Sequence, residues 1–270
     1  MKINDEKYTL ITGASTGLGK EFAIECARRG MNLILVSLPH ENLEELGQEL
    51  SASYSVKVAC REVDLTHRKL LEELTTWITE NFSVNMLINN AGIGGTQIFI
   101  DSPIDYLDNM IQLNIRAMTL LTRLLLPELK THPKAYILNV SSLAAFSPVP
   151  FKTIYPASKA FIHHFTRGLK AELKDTNIRV CVLNPGPIMT NKDVTKRING
   201  QSFYVRLSIM SPERIARIAV RKLLRGHAVI IPGFMNRFNA FFIRLAPVSW
   251  RLNVGTSIFR RDLRKAEHQR

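Results

Sequence analysis

Tyr155 and Lys159, in the segment Tyr155-Pro156-Ala157-Ser158-Lys159, are of a type and spacing that could move a proton. A free phenol titrates near about 10, poorly matched to neutral pH. A neighbouring ammonium favours the phenolate and lowers that value. Positions i and i+4 share a helix face, so the spacing predicts that Lys159 tunes Tyr155. Pro156 suits a first helical turn, where its missing N–H costs nothing. A helix from Pro156 to Leu173 is expected, with Tyr155 at its entrance. Taken alone, the pentapeptide is equally a helix start carrying two polar residues.

A second group lies 140 residues upstream. Thr12-Gly13-Ala14-Ser15-Thr16-Gly17-Leu18-Gly19 has the spacing Gly-x-x-x-Gly-x-Gly between a strand-like run and a helical one. Glycines there let backbone approach a pyrophosphate, and a helix N-terminus offers free N–H groups and partial positive charge. Ser37 and Leu38 end the second strand, where a carboxylate would bind ribose hydroxyls or a basic group would take a 2′-phosphate. Neither residue is acidic or basic. Without a carboxylate to repel the phosphate, NADP(H) is favoured over NAD(H), although no arginine stands ready to clamp it. Thr16, Ser37 and His40 can supply hydrogen bonds. Asp64, followed by Leu65, ends the third strand. It is read equally as a cap on the adenine amine and as an N-cap for the next helix.

These groups need a frame, and the hydrophobic pattern supplies one. Apolar runs at 8–12, 32–37, 56–64, 85–92, 135–142, 178–185 and 228–233 alternate with helical segments at 17–30, 41–51, 105–129, 156–173 and 212–225, and with Leu70–Asn81. Short, continuous apolar strands between helices predict an α/β fold, a three-layer doubly wound parallel sheet of about seven strands in one domain. Residues 190–210 interrupt the rhythm at the carboxyl end of a strand, where a lid would sit.

Composition bounds the rest. Hydrophobic residues make up 46% and charged residues 22%, as in ordinary globular proteins. The three cysteines Cys26, Cys60 and Cys181 suggest neither a disulfide framework nor a metal site, so a reducing, cytoplasmic compartment is expected. No N-terminal apolar run reads as a signal peptide. Residues 196–270 hold 16 Lys and Arg against three Asp and Glu, while residues 1–195 balance. The whole net charge of +13 thus lies in the last 75 residues. Residues 1–232 read as the catalytic domain and 233–270 as a basic extension. In the extension Phe234, Phe238, Phe241, Phe242 and Leu245 recur at helical spacing beside Arg237 and Arg244. That stripe is expected on an anionic membrane surface, on the domain or on a second subunit; the arginines exclude a membrane span. Nucleic acid is not an expected partner, because no reading motif is present.

Together Thr12–Gly19, Asn89-Asn90-Ala91-Gly92, Asn114, Ser142, Tyr155–Lys159 and Asn184–Thr190 occur in the order and spacing of the short-chain dehydrogenase/reductase family, and the chain resembles it over roughly residues 5–232. The resemblance implies an NAD(P)(H)-dependent oxidoreductase acting on a ketone or secondary alcohol; the alternative is a catalytically silent nucleotide-binding regulator or scaffold with the same fold. It implies that Tyr155 is the acid or base, that Ser142 binds the substrate oxygen and that Lys159 holds the nicotinamide ribose. Asn114 would position a water that links Lys159 to solvent. Gly13, Ser15, Thr16, Gly17, Leu18 and Gly19 would cradle the pyrophosphate, with Asn90, Ala91 and Gly92 along the adenosine side. Pro185 and Gly186 would pack on the nicotinamide, and Ile188 and Thr190 would bind its carboxamide. Leu143, Ala144, Phe146, Val149, Ile188 and the 94–97 turn would line an apolar pocket for a lipophilic carbonyl compound. Family members pair through the helices near 105–129 and 156–173, which implies a homodimer or homotetramer. His163 and His164 read as helix-surface or interface residues.

Overall fold

A computed structural model describes residues 6–95, 97–188, 208–253 and 256. The strands are β1 (Lys7–Thr12), β2 (Asn32–Ser37), β3 (Val58–Glu62), β4 (Ser83–Asn89), β5 (Ala135–Val140), β6 (Ile178–Leu183) and β7 (Val229–Ile230). They form one sheet, all parallel, in the order β3-β2-β1-β4-β5-β6-β7. The chain runs outward from β1 in one direction, then returns to β4 and runs out in the other. This leaves a crevice at the carboxyl ends of β1 and β4, the switch point where such sheets take ligands.

Alternation along the strands sends side chains into two cores. Ile11, Leu33, Leu35, Ile88 and Leu138 face α1 (Gly17–Arg28), α2 (Leu43–Tyr54) and α7 (Pro212–Leu224). Leu10, Ile34, Val36, Leu87 and Ile137 face α3 (Arg68–Asn81), α5 (Met118–Thr131) and α6 (Ile154–Glu172). With both faces covered, the inner strands such as β2 and β6 bury residues on both faces rather than alternating, while the edge strand β3 ends in exposed Arg61 and Glu62. Local signals agree with this frame. Ser211 accepts the Arg214 N–H at 3.3 Å and Pro212 fills the first turn of α7, with Glu213 early and Arg221 and Lys222 late, as the helix dipole favours.

Two helices differ from the sequence expectation. The run expected as one helix over 105–129 is α4 (Ile104–Ile111), a wide π turn over Gln112–Ala117, then α5. The π turn surrounds Asn114, a site where such bulges often serve function. Helix α6 begins at Ile154, so Pro156 is the third helical residue, still within the turn whose N–H groups lack partners. The terminal strand is shorter than 228–233, with two residues paired on β6. After it comes α8 (Phe234–Leu245). No helix among the described residues is long and apolar enough to cross a membrane.

Candidate active site

The glycine turn leaves β1 with Gly13 at φ +62° and enters α1. A β-carbon on Gly19 would collide with the carbonyl of Gly13, so the turn closes only with glycine there. Thr16 holds the N-cap position without a side-chain cap, and no acidic residue stands in the first turn. The N–H groups there are therefore available to an anion, which fits a dinucleotide pyrophosphate. The neighbouring strand end is tied to this turn. Thr12 Oγ1 accepts the N–H groups of Asn90 (3.1 Å) and Ala91 (3.0 Å), and Asn90 Nδ2 donates to the carbonyls of Thr12 and Gly13 at 3.0 and 3.1 Å.

The turn after β2 holds a carboxylate that the strand-end reading missed. Ser37 is buried and donates to the Leu38 carbonyl at 2.9 Å, while Leu38 is exposed. Beyond them His40 and Asn42 adopt left-handed backbone and bend the chain back. The bend brings Glu41 into a hydrogen bond with the Ser15 hydroxyl of the glycine turn. The signal was faint, since Pro39 marks a turn but not its direction. Asp64 does not cap α3, whose N-cap position is His67. Its Oδ1 accepts the Thr66 N–H and hydroxyl at 2.8 and 2.7 Å, a local turn bond. Leu18 and Leu65 send their side chains into the core.

At the other end, β5 and α6 bring the reactive side chains together. Ser142 follows β5 and starts a short helical turn, Leu143–Phe146, accepting the Ala144 N–H at 3.1 Å. Its hydroxyl faces the Tyr155 phenol and favours the ionised form of that group. Its neighbour Ser141 is committed elsewhere, donating to the Lys159 carbonyl at 2.7 Å. Lys159 lies one turn after Tyr155, its Nζ 5.8 Å from the phenol ring centre and donating to the Val140 carbonyl at 3.1 Å. Asn114 is fully buried. It accepts the Ile93 N–H at 2.9 Å and donates to the Ile93 carbonyl at 2.8 Å and to Ser158 Oγ at 3.0 Å. Ser158, unassigned by the motif reading though inside the same pentapeptide, donates in turn to the Tyr155 carbonyl at 2.8 Å. Gly94 also gains a role: a β-carbon there would come within 2.7 Å of the Tyr155 ring.

The electrostatics revise one expectation. Burial pushes the Tyr155 phenol up, and the Ser142 hydroxyl opposes that only partly. The ammonium does not lower the phenol here. It is itself buried, and burial pulls Lys159 down to about 8. His163 is another correction. It is buried rather than on the surface, with Nδ1 3.1 Å from Asn184 Oδ1, and burial pulls it down to about 4. Pro185 accepts the Leu143 N–H at 2.9 Å, and Ile188 bridges to Met210. Gly186 is backed by the Asn236 side chain. Thr190 and the stretch 190–207 of the expected lid lie outside the described residues.

The expected apolar pocket corresponds to two cavities among the described residues, and Leu143, Ala144 and Ile188 line neither. A small pocket against Tyr155 is lined by Gly95, Gln97, Phe99, Tyr106 and Met110. A cleft of about 530 Å³ lies beside it, lined by Phe146, Val149, Pro156, Ala160 and Leu252 among others.

Comparison with known proteins decides the family. The model of the short chain dehydrogenase family matches residues 7–200. The chain belongs to the short-chain dehydrogenase family. It is accordingly a nicotinamide-dependent oxidoreductase acting between CH–OH and keto groups. Among its relatives is a very-long-chain 3-oxoacyl-CoA reductase of Anas platyrhynchos, 35% identical over 217 residues, which cover 79% of this chain and 67% of the relative. An NADP-dependent 3-hydroxy acid dehydrogenase of Schizosaccharomyces pombe is 33% identical over 234 residues, covering 84% of this chain and 90% of that one. A solved short-chain dehydrogenase from Sphingobium yanoikuyae, in complex with NADPH, superposes with a TM-score of 0.76 at 29% identity, covering 87% of this chain and 92% of that one. In this dehydrogenase the Lys159 ammonium lies against Gly92, just past the carboxyl end of β4, so the cluster borders the crevice between β1 and β4.

Proposed function

We propose that the protein reduces a lipophilic ketone with NADP(H), Tyr155 giving the proton. The observation that carries the reading is the Ser142 hydroxyl set against the Tyr155 phenol, one helical turn from buried Lys159. A carbonyl oxygen at that meeting point accepts from both hydroxyls and is polarised. A nicotinamide, when bound, would supply the hydride to the carbonyl carbon. Tyr155 then passes its proton to the oxygen. Because burial keeps the phenol protonated, Tyr155 is in the donor state at neutral pH. Lys159 is assigned the hold on the nicotinamide ribose hydroxyls, through which the proton is passed on. Asn114 and Ser158 hold the Tyr155 turn and the strand end after β4 in register, and we assign Asn114 the water-positioning role next to Lys159.

NADP(H) is supported by the cofactors named for the yeast relative and the Sphingobium structure, and by the neutral Ser37 and Leu38. Glu41 must release Ser15 for a 2′-phosphate to sit beside it. A lipophilic substrate is supported by the lining of Phe99, Met110, Val149 and Leu252 and by the acyl-CoA relative. The test is oxidation of NADPH and NADH over a panel of 2-decanone, ethyl 3-oxodecanoate, benzil and a ketose. Turnover of the first three with NADPH is expected. Turnover of the ketose alone would overturn the substrate class.

A second reading concerns where this happens. Asn236 and Ala240 are the buried residues of α8, while Phe234 is 74% and Leu245 is 66% exposed, with Phe238, Phe241 and Phe242 between them. The stripe is thus not packed on its own domain. With Arg237 and the basic balance of residues 196–270, it suits an anionic lipid surface. Co-sedimentation with phosphatidylserine vesicles at low salt is expected for the wild type and lost in Phe238→Ser/Phe242→Ser. No binding by the wild type sinks this reading. Pairing into a dimer or tetramer is supported by the exposed Ile111, Leu124 and Phe161 on α4, α5 and α6.

A further inference from the structure

The C-terminal helix has a buried side, and that side reaches the reactive serine. Asn236, 2% exposed, donates to the carbonyls of Ser208 and Pro232, both at 2.9 Å, and its side chain backs Gly186. This fixes α8 across the 184–186 turn. Two turns further, the Arg244 guanidinium lies over the Phe146 ring, 4.0 Å from its centre. Beyond α8, Arg251 Nη1 donates to the Phe146 carbonyl at 2.5 Å. The ring of Phe146 also meets His163 edge-on at 5.0 Å, and His163 is held by Asn184 at 3.1 Å.

Phe146 ends the short turn that Ser142 begins. That turn is tied on its other side by the Leu143 N–H to Pro185. Ser142 therefore caps a four-residue turn, Leu143–Phe146, whose far end is gripped by two arginines from outside the doubly wound fold. A cation over an aromatic face in a half-dry setting is worth more than one in water, and burial lowers Arg244 accordingly.

We propose that Arg244 and Arg251 are positioning residues for catalysis: by gripping Phe146 they hold the Ser142 hydroxyl in line with Tyr155. The inference rests on the role given to Ser142 above. It makes the basic extension part of the reactive site's support, in addition to any surface it presents outward. Small displacements of a positioned group cost large factors in rate, so a loosened segment should show in chemistry before it shows in folding.

The test is a double-mutant cycle of Arg244→Ala and Phe146→Leu in the full chain, on the fastest carbonyl compound of the panel above. Each single variant is expected to lower kcat roughly ten-fold. NADPH affinity by fluorescence titration should stay within about two-fold, and the primary isotope effect with 4-deuterated NADPH should rise. The double variant should lose little more than either single one, and Arg244→Lys should recover most of the rate. Hydrogen exchange gives a readout free of activity: amides 143–146 should exchange faster in Arg244→Ala, while β1 and β4 stay protected. Unchanged exchange at 143–146, or rate losses that simply multiply with an unaltered isotope effect, would overturn the proposal. Ser142→Ala separates the two layers. If it leaves kcat intact, the serine assignment fails; if it abolishes kcat while Arg244→Ala does not change it, only the positioning role fails.

Discussion

The two ends of the crevice are built from different materials. The nucleotide end is made of backbone: a glycine turn, an uncapped helix start and strand-end amides tied by Thr12 and Asn90. Its side chains, such as Leu38 and Glu41, lie on an exposed turn. The reactive end is made of side chains, with Ser142 and Tyr155 half-buried over buried supports: Ser141 on Lys159, Ser158 on Tyr155, Asn114 on Ile93. Backbone binds an anion common to many cofactors, so that end tolerates change around it. Side chains aimed at one atom must be over-determined, so that end should be brittle.

Four measurements break or sharpen this contrast. The largest effect is expected at Tyr155→Phe, which keeps the ring against Gly94 and removes the proton. Reduction should fall about 10²–10⁴-fold with NADPH binding nearly unchanged; near-wild-type turnover would remove the proton assignment. Next, Asn114→Ala leaves the Ile93 N–H and carbonyl without their side-chain partner in a buried place. A loss of roughly 2–4 kcal/mol in unfolding free energy is expected by chemical denaturation, together with a drop in kcat. A stability change within error would show that the π turn does not depend on this side chain.

The third is a pH effect. His163 is near 4 in the fold and about 6.5 when unfolded. Between those values the unfolded chain binds the proton and the fold does not, so stability falls as pH drops from 6.5 toward 4. The share due to His163 is at most about 3 kcal/mol. His163→Gln, which can still reach Asn184, should flatten that part of the acid limb in urea titrations. A limb of unchanged slope would show that His163 is not its source. The smallest effect is expected at the nucleotide end. Glu41→Gln should lower KM for NADPH a few-fold, by about 1 kcal/mol or less, and leave NADH nearly alone. An equal change for both cofactors would mean that Glu41 does not face the 2′ position.

How far the sequence could be read follows the same division. The glycine turn was legible because its requirement is local: positive φ and close approach admit glycine and little else. The parallel sheet was legible because burial on both faces writes itself as unbroken apolar strands. The pair Tyr155 and Lys159 was legible as a spacing, since one helical turn fixes their common face. Their electrostatics were not. The ammonium was expected to lower the phenol, whereas burial raises the phenol and lowers the lysine. Burial is a property of everything packed around α6. Glu41 escaped notice for a similar reason, because left-handed His40 and Asn42 decide where the turn points.

The C-terminal stripe shows the limit best. Its helical period was plain in Phe234, Phe238, Phe242 and Leu245, and α8 forms where that period runs. Periodicity tells which residues share a face but not which face meets the protein. Here the polar Asn236 and small Ala240 turn inward and the phenylalanines turn out. Chain order by itself determined the family's motifs, the strand rhythm and the chemical types in the cleft, since each depends on neighbours within a turn or a strand. Tertiary packing alone decided the protonation balance of Tyr155 and Lys159, the approach of Ser142 to Tyr155, and the seating of Phe146 between His163 and Arg244. Those depend on contacts between residues up to a hundred positions apart, which local pattern does not encode.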